Sequence, residues 1–230
     1  MASKSYEAAY RKVFGDRLVN LLANATTEEE IKDLYVDWAS TYDKDLFTAG
    51  LVYHKHQTEC FDAAIKQVFL DKPKNEIKII DVGAGTGLIG VELKKLGYTN
   101  LHALDMSQEM LNEAKKKNAY QKFICAPLRD QRISEIETGE FDASICCGTL
   151  IAGHVRAEAF VEMIRMVKIG GLIHFNIRTG DLDDYVYQQK MLELEKAGRW
   201  VNVLKTTAPH YDRDDMPKES LVFVYKVLKN

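Results

Sequence analysis

The 230-residue sequence predicts an α/β protein with a seven-stranded, mostly parallel sheet that ends in an antiparallel hairpin. From residue 76 onward, short apolar runs alternate with amphipathic stretches of helical length, which is typical of a parallel sheet with helices on both faces. The last two apolar runs are joined by a charged loop without a predicted helix, whereas a parallel crossover needs a dozen or more residues that are usually helical. An antiparallel hairpin is therefore expected at the end of the chain.

The first 75 residues are predicted to be helical. Thr27 and Glu30 have the spacing of a capping box, which marks the start of a helix. These helices carry apolar stripes that need a surface to pack on, so we expect residues 1–75 to cover the sheet as a lid. Residues 76–230 would form the core, and the whole chain, 1–230, would be one domain.

Five strands are predicted to alternate with helices, and two more to form the hairpin. The strands are expected at residues 77–82, 100–104, 122–125, 143–147, 172–177, 201–206 and 220–228. The helices of the core are expected at residues 88–96, 108–117, 157–167 and 182–197. Gly170 and Gly171 are expected to stop the third of these helices, and Gly198 the last.

Composition and charge exclude several classes of protein. Lys and Arg total 31 against 34 Asp and Glu, and the net charge of -3 provides no positive field for a nucleic acid. The four cysteines show no CxxC spacing, so neither a disulfide framework nor a metal site is expected. No signal peptide or membrane-spanning run is visible, which predicts a cytoplasmic protein without membrane or nucleic-acid partners.

The strongest local signal is the run IIDVGAGTGLIG at residues 79–90, a strand that leads into a glycine-rich turn and then a helix. Two registers of this turn compete. If Gly85, Gly87 and Gly90 form a dinucleotide fingerprint, Asp105 lies 20 residues after Gly85, where NAD-binding proteins place a ribose-binding acid. This register would allow an NAD-linked oxidoreductase.

In the second register the turn begins at Gly83. A start at Gly85 would leave Asp81 and Gly83 inside a central strand, where a carboxylate needs a partner and a glycine weakens the ladder. A start at Gly83 places Asp81 at the carboxyl end of the strand, over the crevice where open α/β sheets bind ligands. The resulting pattern, an acid, one spacer and three alternating glycines, resembles the first motif of class I S-adenosylmethionine-dependent methyltransferases.

The resemblance extends over nearly the whole chain and is close to one subgroup, the Williams-Beuren syndrome region methyltransferase-like proteins. It implies a Rossmann-like methyltransferase fold and S-adenosylmethionine as the cofactor. Besides the glycine-rich turn, the matching segments are Trp38-Ala39-x-x-Tyr42-Asp43, Leu101-His102 with Asp105, Gly170-Gly171-Leu172, Arg178-Thr179 and Leu194-Glu195-x-Ala197-Gly198-x-Trp200.

The cofactor-binding residues are expected in the turn, at the ends of strands and in the lid. They are Trp38, Tyr42, Asp81, Gly83, Ala84, Gly85, Thr86, Gly87, Asp105, Met106, Ser107, Pro127, Leu128, Cys147, Gly148 and Thr149. Asp105 can accept hydrogen bonds from both hydroxyls of a ribose. Alternatively, Asp105 caps the next helix, where Ser107 is an equally good cap.

Adenine and the lid each leave alternatives. Many relatives place an acid after the third strand to bind the adenine amino group. Here, adenine would instead rest on residues 126–128, or Asp130 would reach back to it. Trp38 and Tyr42 are four residues apart and so would share a helical face. They either pack on the sheet as an aromatic pair or, as the resemblance implies, form a lid with Tyr42 over the cofactor.

The chemistry of methyl transfer needs few catalytic groups. His154 is the candidate base near the acceptor, although a histidine at such a junction is often a cap or a solvated group. Arg178 can hold an acidic acceptor with its fork of donors or pair with a nearby surface aspartate. Cys147 is expected to be small apolar filler rather than a nucleophile.

The predicted function is methyl transfer from S-adenosylmethionine to a small-molecule acceptor. Two alternatives remain open at this point. One is a protein or partner subunit that binds the cofactor without turnover, and the other is the NAD-linked oxidoreductase.

Overall fold

The computed structural model describes residues 7–24, 27–150, 155–178 and 184–230. Ahead of the sheet lie the helices α1 (Glu7–Asn24), α2 (Glu28–Trp38), α3 (Tyr42–Thr48) and α4 (Tyr53–Val68). The capping box is present, since Glu30 N–H donates to Thr27 Oγ1 at 3.2 Å and Thr27 N–H donates to Glu30 Oε2 at 3.0 Å. The helical character of this region is confirmed. Among the described helices, none has the length and apolar character needed to cross a membrane.

In the described part of the chain, seven strands form one sheet in the order β3-β2-β1-β4-β5-β7-β6. Neighbours among β1 to β5 pair in parallel, and β7 is antiparallel to both β5 and β6. The predicted fold class and terminal hairpin are therefore confirmed. The strands are β1 (Ile79–Val82), β2 (Leu101–Asp105), β3 (Lys122–Cys125), β4 (Phe141–Cys146), β5 (Val167–Arg178), β6 (Trp200–Pro209) and β7 (Glu219–Val227).

Helices cover both faces of the sheet, as predicted. They include α5 (Leu88–Lys95), α6 (Gln108–Lys116), α7 (Phe160–Met166) and α8 (Asp184–Lys196). On one face, Ile79 belongs to the same apolar cluster as Phe61 of α4. On the other face, Ile80 shares a cluster with Phe160 of α7. Because consecutive residues of a strand point to opposite faces, β1 is buried on both sides.

The prediction that Gly170 and Gly171 stop a helix is wrong. Helix α7 already ends at Met166, and both glycines lie inside β5. A Cβ on Gly171 would lie 2.4 Å from the carbonyl oxygen of Asp142. The glycine therefore permits a close approach of two strands where their pairing register shifts.

Candidate active site

A cleft opens at the carboxyl ends of β1, β2 and β4, underneath α2 and α3. It encloses about 840 Å³ of empty space, including its open mouth. The sheet side contributes Gly83, Ala84, Gly85, Thr86, Leu88, Ile89, Leu104, Asp105, Met106, Met110, Ala126, Leu128, Cys147, Gly148, Thr149 and Val155. The helical side contributes Ile31, Tyr35, Tyr42 and Tyr53.

The glycine-rich turn begins at Gly83, directly after β1 ends at Val82, so the second register is confirmed. Gly83 has a φ of +72°, and a Cβ there would lie 2.1 Å from Thr149 Oγ1. Gly85 has a φ of +54°, but a Cβ there would meet nothing within 4 Å. Gly83 is therefore required by packing, whereas Gly85 leaves bare backbone facing the cleft.

Asp81 is connected to the glycine-rich segment through Tyr120 and does not line the cleft. Its side chain is buried, and the Tyr120 hydroxyl donates to its Oδ2 at 2.5 Å. The Tyr120 oxygen also accepts from Gly90 N–H at 3.0 Å. Burial raises the pKa of Asp81 to about 7, and the hydrogen bond from Tyr120 opposes that rise. The position at the strand end is as predicted, but the carboxylate faces Tyr120 rather than the crevice.

Asp105 lines the cleft at the end of β2. Gly85 N–H donates to its Oδ2 at 2.8 Å, and Ser107 N–H donates to its Oδ1 at 2.9 Å. Ser107 is the cap of α6, since its Oγ accepts from Met110 N–H at 3.2 Å. The alternative that Asp105 caps this helix is therefore wrong. A backbone hydrogen bond from Met106 also reaches this carboxylate, and its remaining acceptor capacity is available to a ligand.

The turn after β4 forms the floor of the cleft with Cys147, Gly148 and Thr149. Burial raises the pKa of the Cys147 thiol well above its usual value, so the group is a neutral thiol. This agrees with its interpretation as small apolar filler. His154 lies outside the described residues. The backbone of Arg178 ends β5, but its side chain lies outside the described part.

Trp38 and Tyr42 do not share a helical face, which corrects the prediction. Trp38 ends α2 and Tyr42 begins α3, yet their ring centroids lie 4.6 Å apart in an edge-to-face arrangement. Tyr42 lies over the cleft, whereas Trp38 packs behind it and donates from Nε1 to Asp45 Oδ2 at 2.8 Å.

The chain resembles known proteins in sequence and in fold. A family model described as a methyltransferase domain matches residues 79–171. Human methyltransferase-like protein 27 is 31% identical over 197 residues, which cover 81% of this chain and 77% of that protein. The chain belongs to the methyltransferase-like protein 27 family. The predicted Williams-Beuren subgroup is thereby confirmed.

Solved structures show the same fold as this member of the methyltransferase-like protein 27 family. A Haloferax volcanii methyltransferase, complexed with a methyltransferase activator, has a TM-score of 0.62 and 14% identity, over 86% of this chain and 98% of that chain. Synechocystis magnesium protoporphyrin IX methyltransferase with bound SAH has a TM-score of 0.60 and 14% identity, and the match covers 87% of this chain and 100% of that chain. The fold is that of class I, S-adenosylmethionine-dependent methyltransferases.

Most of the predicted cofactor residues line the cleft of this methyltransferase-like protein 27 relative. Five of them do not, namely Trp38, Asp81, Gly87, Ser107 and Pro127. At the expected adenine end, Ala126 and Leu128 line the cleft, whereas Pro127 and the exposed Asp130 do not. Ile31 of α2 also lines the cleft.

Sequence reasoning missed two tyrosines and the contact that fastens the helices. Tyr35 lies one turn before Trp38, so helical spacing could have indicated it. Tyr53 gives no such signal, because it reaches Gly148 only in the folded chain, where its Oη would lie 2.9 Å from a Cβ at that glycine. Burial raises the pKa of Tyr53 well above its usual value, which keeps the phenol neutral.

Asp43 fastens α3 to the glycine-rich turn. Its Oδ1 accepts from Thr86 Oγ1 at 2.5 Å, and its Oδ2 forms an ion pair with Lys117 Nζ at 2.7 Å. Lys117 Nζ also donates to the carbonyl oxygen of Thr86 at 2.6 Å. One carboxylate thus joins the helical cover, the turn and the end of α6.

Proposed function

We propose that this chain is an S-adenosylmethionine-dependent methyltransferase that acts on a small-molecule acceptor. One observation carries the proposal. The turn of residues 83–86, whose backbone is bare at Gly85, lines the same cleft as the Asp105 carboxylate, and the hydrogen bond from Gly85 N–H to Asp105 joins them. A turn that leaves room at Gly85 and an acid with remaining acceptor capacity suit a ligand that carries a ribose.

The described residues fit the cofactor. Asp105 would bind the ribose hydroxyls, Ala126 and Leu128 would contact adenine, and residues 147–149 would lie along the methionine part. Gly85 would give the backbone access that these contacts require. When bound, S-adenosylmethionine supplies a methyl group on a positively charged sulfur.

The chain contributes mainly by positioning, because in-line displacement depends on the alignment of three atoms. The cover, with Tyr42 over the cleft, would shield the reacting centre from water when the cofactor is bound. Burial raises the pKa values of Tyr42 and Tyr53, so both are neutral phenols near neutral pH. They can form hydrogen bonds with the methyl acceptor but do not serve as bases. A base is required only where the acceptor carries a proton, and His154 is our candidate for that role. Arg178 is our candidate for contact with an acidic acceptor.

The choice of a small methyl acceptor follows from the net charge of the chain and from the residues that line the cleft. The net charge of -3 gives no attraction for a polyanion. Among the described residues that line the cleft, Asp105 is the one charged side chain, and the remainder are apolar, aromatic or small. A concave and mostly apolar lining with few polar groups is typical of sites for small molecules.

Titration calorimetry of the full chain with S-adenosylmethionine, S-adenosylhomocysteine and NAD tests the proposal. We expect binding of the first two in the micromolar range and none of NAD. Binding of NAD alone would refute the proposal and favour the oxidoreductase. Incubation with labelled S-adenosylmethionine and fractionated metabolites then measures transfer, and binding without any transfer would favour a subunit that needs a partner.

His154 is tested once an acceptor is known. If it is the base, His154→Ala lowers kcat about 100-fold or more while affinity for the cofactor stays the same. An unchanged kcat would remove His154 from the mechanism.

A further inference from the structure

The turn that follows β4 is held from behind by a side chain on the neighbouring strand. Gly148 lines the cleft with a φ of +70°, and its main-chain N–H donates to Asn176 Oδ1 at 2.9 Å. Asn176 lies on β5 and is buried, with 2% of its surface exposed. The shape of the cleft floor therefore depends on a residue that does not itself line the cleft.

The orientation of the Asn176 amide is fixed by its two partners. Because Gly148 offers an N–H donor, the amide oxygen must face it, and the NH2 group must point the other way. There, Asn176 Nδ2 donates to Ser220 Oγ at 3.2 Å. Ser220 lies on β7 and is fully buried, so its contact with Asn176 is shielded from bulk water.

The same chain of hydrogen bonds continues to helix α4. Gln57 Nε2 donates to Ser220 Oγ at 3.1 Å, and Gln57 Oε1 lies 2.8 Å from His174 Nε2. With the Gln57 amide so placed, the histidine must carry its proton on Nε2. Burial lowers the pKa of His174 to about 3, so the ring is neutral and the arrangement does not change with pH in the neutral range.

We propose that Asn176 is a positioning residue that holds the turn after β4 in the shape that binds the cofactor, and that Ser220 and Gln57 tie this turn to helix α4. Gln57, His174, Asn176 and Ser220 form a buried polar network, and each has 2% or less of its surface exposed. Their hydrogen bonds join the turn after β4 to β5, β7 and α4 in one arrangement, and of the four side chains only His174 has a buried polar atom, Nδ1, without a partner in the described part of the chain. This proposal rests on the proposed function, which takes S-adenosylmethionine as the cofactor that the turn binds.

Asn176→Ala removes the acceptor of the Gly148 N–H and is the main test. We expect affinity for S-adenosylhomocysteine, measured by calorimetry on the full chain, to fall about tenfold, since a donor in the cleft wall loses its partner. Amide hydrogen exchange followed by NMR should show that Gly148 loses its protection in the free protein. Ser144→Ala is the matched control: Ser144 is fully buried on β4, and its Oγ has no hydrogen-bond partner among the described residues. We expect this control to behave like the wild type.

A second variant, Ser220→Ala, removes one oxygen from the same network and serves where Asn176→Ala does not fold. It should weaken affinity in the same direction, and the double variant should cost less than the sum of the single changes, because both act through one contact. A folded Asn176→Ala protein with wild-type affinity and a protected Gly148 amide would overturn the proposal. A lower unfolding midpoint with unchanged affinity would overturn it as well. Should the wild type bind no S-adenosylhomocysteine, the proposed function fails, and the Gly148 exchange rate alone decides whether the network holds the turn.

Discussion

Removal of the Asp43 carboxylate should loosen the cover without unfolding the sheet. Asp43→Ala deletes the acceptor of the Thr86 hydroxyl and the partner of Lys117. The side chains of Asp43 and Lys117 are 31% and 23% exposed, so the ion pair is partly screened by solvent. Leu46 of α3 remains buried in the apolar cluster below, which keeps the helix attached.

The size of the effect follows from these contacts. A hydrogen bond to a charged group contributes about 1.5–3 kcal/mol, and a partly exposed ion pair adds roughly 0.5 kcal/mol. After a discount for exposure, we expect a loss of about 2 kcal/mol, which corresponds to a factor of about 30 in the equilibrium for opening the cover. Asp43→Asn keeps a neutral acceptor for Thr86 and should fall between the wild type and Asp43→Ala.

Hydrogen exchange of the amides in residues 42–48 measures this opening directly. We expect exchange there to be about 30-fold faster in Asp43→Ala, whereas exchange in β1 and β4 should not change. Glu113→Ala is the matched control, since it removes the exposed Glu113–Lys116 ion pair of α6 and leaves the cover alone. Raised ionic strength should move the wild type toward Asp43→Asn, because salt screens the ion pair. Equal exchange of residues 42–48 in the wild type and Asp43→Ala would refute this reasoning.

Three further predictions concern the glycine-rich turn and its acids. The pKa of Asp81 is raised from 3.8 to about 7, so wild-type stability should fall as the pH rises through this window, by up to about 1.4 kcal/mol per pH unit. Asp81→Asn should lack that slope in denaturant unfolding at several pH values, and equal slopes would contradict the assignment. Gly85→Ala should lower stability by about 1 kcal/mol, because an alanine is strained at a positive φ. The same change should lower cofactor affinity at least tenfold, since the added methyl group would occupy open space in the cleft. Gly90→Ala should instead lower stability by about 1–3 kcal/mol, because its Cβ would lie 2.2 Å from the Tyr120 ring. Unfolding curves that coincide for Gly85→Ala and Gly90→Ala would be inconsistent with this contrast. Asp105→Ala should weaken S-adenosylhomocysteine binding about 100-fold with the fold retained. Asp130→Ala, at an exposed position, is the control and should not weaken binding. Unchanged affinity in calorimetry of Asp105→Ala would show that this acid does not bind ribose.

The sheet was predictable because its signals are local. The alternation of apolar runs with helices indicated a parallel sheet, and the connection without a helix before the last strand indicated the hairpin. The register at Gly83 followed from a similar argument, since a carboxylate and a glycine are poor residues for the middle of a buried strand. These inferences use only neighbours in sequence and the cost of burial.

The break between α2 and α3 was not predictable from local signals. Residues 39–41 are Ala, Ser and Thr, and none of them prevents a helix. The break is stabilised by Asp45, which accepts from Trp38 Nε1 and from Thr41 Oγ1, each at 2.8 Å. The spacing of Trp38 and Tyr42 therefore indicated their proximity correctly, but for the wrong reason.

The two sides of the cleft are fixed by different kinds of interaction. On the sheet side, a few consecutive residues set the turn at Gly83 and aim Asp105, so the sequence indicates the chemistry of the ligand they bind. On the helical side, the contacts join residues far apart in the chain, as Asp43 joins Thr86 and Gln57 joins Ser220. Such contacts give no sequence pattern, because their geometry exists only after folding. The sequence therefore predicts the chemistry of the sheet side of the cleft and does not predict the contacts of its helical side.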